Sequence, residues 1–357
     1  MSYNLNKICA NFAIDPEIGS YGNGHINDTF LCQSSPNYIL QRINQKVFKH
    51  PEDIMENIEK VTLHLKKKII EAGGDPERET LTVIRTIDDK NYYKDEDGNY
   101  FRMYKFIDHS VSYELAEDPI QLYLTGKAFG NFQNMLDDFP ADELHETIRD
   151  FHNTPERVNQ LLSAIDNNGA GRLESVKAEV EFALEFRRYA NVITKAMVDG
   201  SVPLRVTHND TKLNNVLFDD KTDEVVCVVD LDTVMPGSML YDFGDALRFC
   251  ASSAVEDETD LDKVWFDINK FERFAKGSIN EMRKKITPKE AELLPVSVLI
   301  MTYECGIRFL TDHLNGDVYF KVHRENHNLD RARNQFKLVK DIENKLDEMG
   351  EIVKKYL

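Results

Sequence analysis

The strongest chemical signal in the sequence is a polar loop, His208-Asn209-Asp210-Thr211-Lys212-Leu213-Asn214-Asn215, which follows the predicted strand Leu204-Arg205-Val206. A second acidic motif, Asp230-Leu231-Asp232, comes 15 residues after the end of this loop. Phosphoryl transfer needs a carboxylate to accept the proton of the attacking hydroxyl and oxygen ligands to hold Mg²⁺ on the phosphates. An H-x-D-x-x-x-x-N loop followed by D-x-D therefore predicts a phosphoryl-transfer site.

A β-hairpin is predicted between the two motifs. The runs Val216–Phe218 and Val225–Val229 are rich in apolar and β-branched residues, and the polar segment 219–223 between them is typical of a turn. Pairing of the two strands would let Asp210, Asn215 and Asp230 converge. A polar loop whose Asp and Asn residues only cap turns is the alternative; it explains any one residue but not the whole arrangement.

A glycine-rich segment, Tyr21-Gly22-Asn23-Gly24-His25, lies between the first two predicted strands. Glycines in a hairpin allow backbone N–H groups to approach phosphates without obstruction by side chains. An ordinary turn would have the same composition. The position of the segment, at the start of a β-rich region, favours a role in nucleotide binding.

The predicted secondary structure changes from mainly strand to mainly helix near Asp118. Before it, short strands alternate with one helix that begins at Pro51 and ends near Gly73-Gly74. After it, helical periodicity dominates, apart from the hairpin. We therefore predict an α+β protein with a β-rich domain over residues 1–109 and a helical domain over residues 110–357. The predicted strands are Ile18–Tyr21, Ile26–Cys32, Tyr38–Ile43, Leu81–Arg85, Tyr92–Tyr93 and Tyr100–Ile107, and the predicted helices are Ile120–Leu136, Leu173–Met197, Phe271–Lys285, Ala291–His313 and Asp330–Lys355.

Composition narrows the class of protein further. The chain has 357 residues and a formal net charge of −18, with 41% hydrophobic and 30% charged residues. Such a surface repels nucleic acids and anionic lipids, so neither is an expected partner. The five cysteines are scattered, which indicates free thiols in a reducing compartment. No signal-peptide stretch is present near the first residues, and we expect a cytoplasmic monomer or weak homo-oligomer.

Seven segments, spread over both predicted domains, carry a resemblance to a known family: Ser20–Asn27, Tyr38–Gln41, Tyr104–His109, Leu204–Asn215, Asp230–Met239, Asp242–Asp245 and Glu304–Leu310. They resemble the aminoglycoside phosphotransferase and choline kinase family, and most closely its N-acetylhexosamine 1-kinases. The fold that this resemblance implies is a two-lobe, protein-kinase-like one, with ATP as phosphoryl donor and Mg²⁺ as cofactor.

The resemblance implies a role for individual residues. Asp210 would be the catalytic base, and Asn215, Asp230 and Asp232 would surround the metal, with substrate contact as a second possible role for Asp232. Residues implied in nucleotide binding are Gly22, Asn23, Gly24, Gln41, Phe106 and Asp108. Residues implied in sugar binding, besides Asp210, are His25, Phe249, Arg308 and Tyr319. Structural roles are implied for Glu59, His208 and Asp242.

The sequence departs from the wider family at the strand Tyr38–Ile43. Gln41 stands where a phosphate-binding lysine is expected, the lysine that Glu59 would pair with. A neutral amide can hydrogen-bond to phosphate but cannot neutralise its charge. Either Mg²⁺ neutralises more of the phosphate charge, or Arg42 reaches the phosphates. Strand alternation, however, places Arg42 on the face opposite to Gln41.

The acceptor is the least determined part of the function. The resemblance implies the C1 hydroxyl of N-acetylglucosamine or N-acetylgalactosamine, and homoserine, choline or an aminoglycoside are the alternatives. Choline would require an aromatic cage, whereas Trp265, the single tryptophan, is expected to anchor the core. Arg308 could instead pair with Glu304 on one helix face. A non-catalytic nucleotide-binding module and a helical interaction scaffold are the remaining classes.

Overall fold

A computed structural model describes residues 3–22, 26–114, 116 and 118–357. It confirms the predicted α+β class: antiparallel strands dominate the early part of the chain and helices the later part. The chain divides into two compact units. The first unit comprises Met1–Ser112, Asp138–Arg149 and Asn215–Pro236, and the second comprises Tyr113–Asp137, Asp150–Asn214 and Gly237–Leu357. The division predicted at 109/110 had assigned the hairpin region to the helical domain, whereas here it packs within the first unit.

An antiparallel sheet forms the centre of the first unit. Its order is β1-β2-β3-β6-β4, with β5 also paired to β6. The register of β3 against β6 places Gln41 opposite Arg102 and Ile39 opposite Tyr104. These four side chains therefore share one face of the sheet. The strands are β1 (Glu17–Ser20), β2 (Asp28–Gln33), β3 (Tyr38–Ile43), β4 (Val83–Ile84), β5 (Tyr93–Lys94) and β6 (Tyr100–Lys105).

The other face of this sheet is covered by a short helix that the sequence pattern did not indicate. Helix α1 (Leu5–Ala10) is capped by Asn4, whose side chain accepts the Lys7 N–H group. Six residues are too few for a clear helical period. Full burial of each large apolar side chain contributes about 1.5–3 kcal/mol, so tertiary packing holds the helix in place. The cluster that forms between helix and sheet contains Ile8, Cys9, Phe12, Cys32, Leu40, Phe101 and Met103.

Helix α2 (Pro51–Ala72) is the long helix of the first unit, and its limits match the prediction. Proline at the first position costs no hydrogen bond, because the first N–H groups of a helix have no partner within it. The helix ends where Gly73 adopts a left-handed conformation, φ 80°. Its buried face consists of Ile54, Met55, Ile58, Val61, Leu65 and Ile69.

The predicted hairpin is also present in the first unit. Strand β9 (Val216–Asp219) pairs antiparallel with β10 (Val225–Val228), and β7 (Ser110–Val111) adds to the free edge of β9. The Val229 N–H donates to the Asn215 carbonyl oxygen over 2.9 Å and closes the open end of the hairpin. Asn215 and Asp230 are therefore brought to the same end, as the motif spacing predicted.

The second unit is mainly helical, and α9 and α10 are its longest elements. Thr287 and Glu290 form a capping box at the start of α9. One helix in the described part of the chain, α9, has the length and apolar composition that a membrane span would need, but 83% of its most apolar window is buried in the protein. Core helices share this property. The helices are α3 (Pro119–Met135), α4 (Thr154–Asn167), α5 (Lys177–Phe186), α6 (Val192–Val198), α7 (Met239–Cys250), α8 (Ile268–Met282), α9 (Pro288–Asn315) and α10 (His327–Tyr356), and the short strands β8 (Arg205–Thr207) and β11 (Met235–Gly237) complete the set.

The single helix predicted over Leu173–Met197 is wrong. The chain forms a 3₁₀ turn, α5, a second 3₁₀ turn at Arg187–Tyr189, and then α6. Buried apolar residues continue at spacings of three and four through the interruption, at Ala183, Phe186, Ala190 and Ile193. Periodicity alone could not reveal the break, because 3₁₀ and α turns place such residues on nearly the same face. Helices α4 and α7 were also missed.

Candidate active site

The loop that contains Asp210 is held by a buried carboxylate in the second unit. Asp242 lies in the first turn of α7 and accepts the backbone N–H groups of His208 (2.9 Å) and Asn209 (2.7 Å). The Gln133 side chain from α3 donates to it as well, over 2.7 Å. Burial raises the pKa of Asp242, and these donors counteract that rise. Asp242 thus holds the backbone of the loop just before Asp210.

His208 and Lys212 flank Asp210 within the same unit. The fully buried His208 ring packs edge-on against Phe129 and Phe132, and its Nδ1 accepts the Asp210 N–H over 3.3 Å. The Lys212 ammonium lies 2.6 Å from Asp210 Oδ1. Burial opposes the charge of Lys212, but Asp210 and Asp245 outweigh this effect and raise its pKa. The Asp210 carboxylate is half-buried and carries an ammonium partner.

The motif that follows the hairpin belongs to the first unit. Asp230 adopts a left-handed conformation, φ 60° and ψ 60°, and its side chain is exposed. Such a conformation is uncommon for a residue other than glycine and is often found at functional sites. Asn215 is buried at the same end of the hairpin. The two side chains present one carboxylate and one amide oxygen.

This donor set suits Mg²⁺. In the part of the chain that the structure describes, no three His, Cys, Asp or Glu side chains cluster as a metal cage. Mg²⁺ does not need such a cage, since it binds through one or two carboxylates together with substrate phosphates and water. Asn215 and Asp230 fit this mode. Asp232 is buried, and its Oδ2 accepts the Asn27 side-chain amide over 2.6 Å.

Arg102, which the sequence analysis did not single out, lies beside these carboxylates. Its guanidinium forms an ion pair with Asp232 and donates twice to Gln41 Oε1, over 2.8 and 3.0 Å. Its exposed fraction is 1%. Burial opposes the charged form, yet the Asp232 and Asp230 carboxylates more than compensate and raise the pKa of Arg102. The one signal in the sequence is a basic residue at an interior position of strand β6, between Phe101 and Met103.

A cavity of about 210 Å³ opens on this face of the first-unit sheet. Ile39, Phe106, Ile107 and Leu217 supply apolar lining, while Gln41, Arg102 and Asp230 supply polar lining. Its volume is below the ~300–1,000 Å³ of typical ligand pockets, so it has room for only part of a larger ligand. Phe106 lies where the hinge residue was predicted, and its N–H donates to the Asn37 carbonyl over 2.9 Å. The Asp108 side chain is exposed and is not part of this lining.

Two predicted phosphate-site residues have other partners. Arg42 Nε donates to Asp28 Oδ2 over 2.7 Å, and its guanidinium lies 5.7 Å from the centre of the Tyr3 ring, on the opposite face from Gln41. Glu59 pairs with Arg85 and also accepts the Asn91 side chain. Glu59 therefore holds a neighbouring loop in the described structure, and Arg42 does not line the cavity. Asn23, Gly24 and His25 lie outside the described residues, and Gly22 next to them has φ 72°.

Phe249 lines a cavity of about 330 Å³ in the second unit, hereafter the Phe249 cavity. Leu213 from the Asp210 loop contributes to its wall. Among the described residues of its lining, two acidic side chains, Glu114 and Glu256, balance two basic ones, Arg248 and Lys270. Arg248 Nη1 pairs with Glu256 over 2.9 Å, and Arg331 pairs with the same carboxylate. Both basic partners lower the pKa of Glu256 against the effect of its burial.

Arg308 and Tyr319 line a different cavity of the second unit, about 490 Å³ in volume, together with Arg157 and Gln160. The structure does not place them with Phe249. Arg308 lies 5.5 Å from the centre of the Phe320 ring, and Tyr319 is 71% exposed. The Glu304 carboxylate accepts His152 and Thr154, at 3.0 and 2.6 Å.

The expectation that Trp265 anchors the core is wrong. Its exposed fraction is 49%, whereas its neighbours Val264 and Phe266 are buried. Val264 and Phe266 flank Trp265 in the chain, and the side chains of an extended segment alternate in direction, so burial of the two neighbours directs the indole toward solvent. Trp265 is not among the residues that line the Phe249 cavity.

Solved structures of similar fold are small-molecule phosphotransferases. The chain matches a microcompartment-associated aminopropanol kinase with a TM-score of 0.61 and 13% identity, over 97% of this chain and 98% of that one. A spectinomycin phosphotransferase bound to ADP and spectinomycin matches with a TM-score of 0.56 and 14% identity, over 96% and 98%. The GDP complex of an aminoglycoside 2'-phosphotransferase matches with 0.58 and 14%, over 96% and 98%. These similarities establish a kinase-like fold.

The family model that matches residues 17–266, together with the kinase-like fold, defines a small-molecule kinase with an alcohol acceptor. Residues 17–266 match the family model described as the phosphotransferase enzyme family. The chain belongs to that family.

Proposed function

We propose that this protein transfers the γ-phosphoryl group of ATP to the C1 hydroxyl of an N-acetylhexosamine, with Asp210 as base and Mg²⁺ bound to the phosphates. N-acetylglucosamine and N-acetylgalactosamine are the proposed acceptors. The proposal includes the cytoplasm as the location and a monomer or weak homo-oligomer as the assembly.

The charge balance of the Phe249 cavity carries the choice of acceptor. A polycationic aminoglycoside would need a surplus of carboxylates. Among the described residues of the lining, however, two acidic side chains accompany two basic ones, and Arg248 already pairs with Glu256. A quaternary ammonium group would need several aromatic faces, and Phe249 is the single aromatic residue among the described residues of the lining. A neutral, polar molecule with one apolar substituent fits best, and an N-acetyl sugar has this character.

In the proposed reaction the proton passes directly from the acceptor hydroxyl to Asp210. Asp210 accepts the C1 hydroxyl proton while the sugar oxygen bonds to the γ-phosphorus, and the bond from that phosphorus to the β-γ bridging oxygen breaks to release ADP. The anomeric hydroxyl is more acidic than an ordinary alcohol, so a carboxylate is a sufficient base. Lys212 pairs with the carboxylate of Asp210, and the His208 ring accepts the Asp210 backbone N–H. Bound Mg²⁺, held by Asn215 and Asp230, would neutralise charge on the transferred phosphoryl group.

A substrate panel tests this proposal. Release of ADP is measured with N-acetylglucosamine, N-acetylgalactosamine, homoserine, choline, 1-amino-2-propanol and an aminoglycoside, each with ATP and with GTP. We expect turnover with the N-acetyl sugars and ATP, and ³¹P NMR of the product should show phosphate on the anomeric carbon.

The 1-deoxy analogue of the best N-acetylhexosamine is the matched control. It retains every other polar group but lacks the attacking hydroxyl, so it should inhibit competitively without being phosphorylated. Phosphorylation of this analogue would exclude C1 as the acceptor position. Activity confined to the amino alcohols or the antibiotic would overturn the sugar assignment.

A further inference from the structure

The first-unit cavity poses an electrostatic problem. The phosphates of a nucleotide are anionic, Asp230 in its lining is anionic, and the net charge of the chain is −18. Mutual repulsion of this kind weakens binding unless a cation lies nearby. Gln41 lies at the strand position where a lysine was predicted, and its neutral amide supplies no charge.

Sheet register indicates where the phosphates would lie. Phe106 and Ile107 follow directly after β6, and Ile39 opposite Tyr104 lies next to this hinge end of the cavity. Gln41 and Arg102 lie two residues further along β3 and β6, on the same face, which is about 6–7 Å away. An aromatic base bound at the apolar end would direct its phosphates toward Gln41, Arg102 and Asp230.

Arg102 and Lys105 are the cationic residues among the described residues of this lining. Lys105 lies next to the hinge, and its Nζ donates to Glu77 over 3.2 Å. Arg102 lies at the polar end, where Gln41 Oε1 receives two of its N–H groups and Asp232 pairs with its Nη1. Gln41 therefore orients the Arg102 guanidinium. The positive charge that β3 lacks at Gln41 is supplied by Arg102 of the neighbouring strand β6.

We propose that Arg102 binds the donor phosphates and replaces the lysine that Gln41 displaces, with Gln41 and Asp232 as its positioning residues. The inference rests on the proposed nucleotide donor and is independent of the acceptor. A guanidinium suits this task because it stays charged when buried and presents several fixed donors to phosphate oxygens.

Nucleotide binding to the full chain, measured by calorimetry without acceptor, tests the inference. Arg102→Met should weaken ATP and ADP by on the order of 10- to 100-fold, the loss expected for a charge-assisted contact. Adenosine, which has no phosphate, should bind as it does to the wild type. Equal weakening of adenosine and ATP would show a structural role and overturn the proposal, as would no change for either.

Arg42→Met is the matched control, since Arg42 is a neighbouring arginine on the opposite face of the same sheet. It should leave ATP binding within about twofold of wild type. A loss for Arg42→Met as large as for Arg102→Met would overturn the assignment.

Two further variants address folding and charge placement. Removal of Arg102 takes the cationic partner from the buried Asp232, which keeps the Asn27 amide. If the single variant does not fold, Arg102→Met/Asp232→Asn tests the effect of the lost guanidinium instead. Gln41→Lys combined with Arg102→Met returns a cation to β3 and should recover most of the ATP affinity. Failure to recover any affinity in a folded protein would contradict the replacement.

Titrations in EDTA separate direct phosphate contact from an effect through a metal ligand. The ratio of wild-type to Arg102→Met affinity for ATP should persist without divalent cations. A ratio that falls to one would mean that Arg102 acts only through Asp232. If the wild type binds no nucleotide, both the assignment of a nucleotide donor and this inference are overturned. If the wild type binds ATP and Arg102→Met binds it equally well, only this inference is overturned.

Discussion

A single buried carboxylate organises the proposed catalytic loop. Asp242 accepts two consecutive backbone N–H groups and one side-chain amide, so its two oxygens determine the course of the chain just before Asp210. Unsatisfied buried donors cost about 1–3 kcal/mol each. Asp242 therefore holds the backbone that leads into Asp210, the proposed base.

Asp242→Asn tests this support. The amide keeps one acceptor oxygen and turns an NH₂ group toward an N–H donor, so the free energy of unfolding should fall by about 1–3 kcal/mol. Urea unfolding measures the loss, and turnover should fall with it. Asp262→Asn, an exposed acid of the same unit, should change neither quantity. Equal stability of Asp242→Asn and wild type would contradict the assigned role.

Asp210→Asn separates an enzyme from a non-catalytic nucleotide-binding protein. Loss of the proton acceptor should lower kcat by on the order of 10²–10⁴ and leave ATP binding intact. Single-turnover assays and calorimetry measure the two effects, again with Asp262→Asn as control. Unchanged turnover would remove Asp210 from the role of base.

At the scale of elements, two helices of the second unit pack closely through glycine. A Cβ at Gly126 of α3 would overlap the Phe274 carbonyl oxygen of α8, and a Cβ at Gly277 of α8 would overlap the Tyr123 carbonyl oxygen of α3. The two backbones therefore touch. Gln133, which binds Asp242, is on the same α3, so this contact also supports the catalytic loop.

Gly126→Ala and Gly277→Ala should each destabilise the protein by about 1–3 kcal/mol, because the helices must separate to admit the methyl group. Gly350→Ala is the matched control: it lies within α10 with no atom within 4 Å of the added Cβ. That change should stabilise by about 0.5–1 kcal/mol through helix propensity. Chemical denaturation measures the free energy of unfolding of the three variants. The close approach of the helices would be contradicted if Gly350→Ala were destabilising, or if Gly126→Ala and Gly277→Ala were both as stable as wild type.

At the scale of the whole molecule, buried and half-buried acids of the second unit link stability to pH. Burial opposes the charged forms of Asp245, Glu256 and Glu304, but basic partners and hydrogen bonds outweigh it and lower their pKa values. A folded pKa below the unfolded value means that the folded state binds fewer protons. Their contribution is therefore full above about pH 4.5 and is lost as the pH falls.

Arg248→Met isolates this linkage, since Arg248 is a partner of both Asp245 and Glu256. The variant should melt at a lower temperature than wild type near pH 7, and the difference should shrink between about pH 5 and pH 3 as both carboxylates take up protons. Comparison with wild type cancels the general repulsion of a chain with net charge −18. A difference that grows on acidification would contradict the pairing.

The sequence by itself determined the class of chemistry, the α+β fold class and the hairpin between the two acidic motifs. Motif spacing, turn residues and strand alternation depend on residues that are close in the chain, so they can be predicted without knowledge of the tertiary packing. Periodicity failed where a 3₁₀ turn preserved the apolar spacing at Arg187–Tyr189, and at α1, which is too short to show a period.

Only the tertiary structure decided which cation stands beside Gln41 and which residues share a cavity. Gln41 and Arg102 are 61 residues apart and meet through strand register. Phe249 and Arg308 lie on different helices and line different cavities. Pairing partners and side-chain environments depend on long-range packing, which residue spacing does not encode.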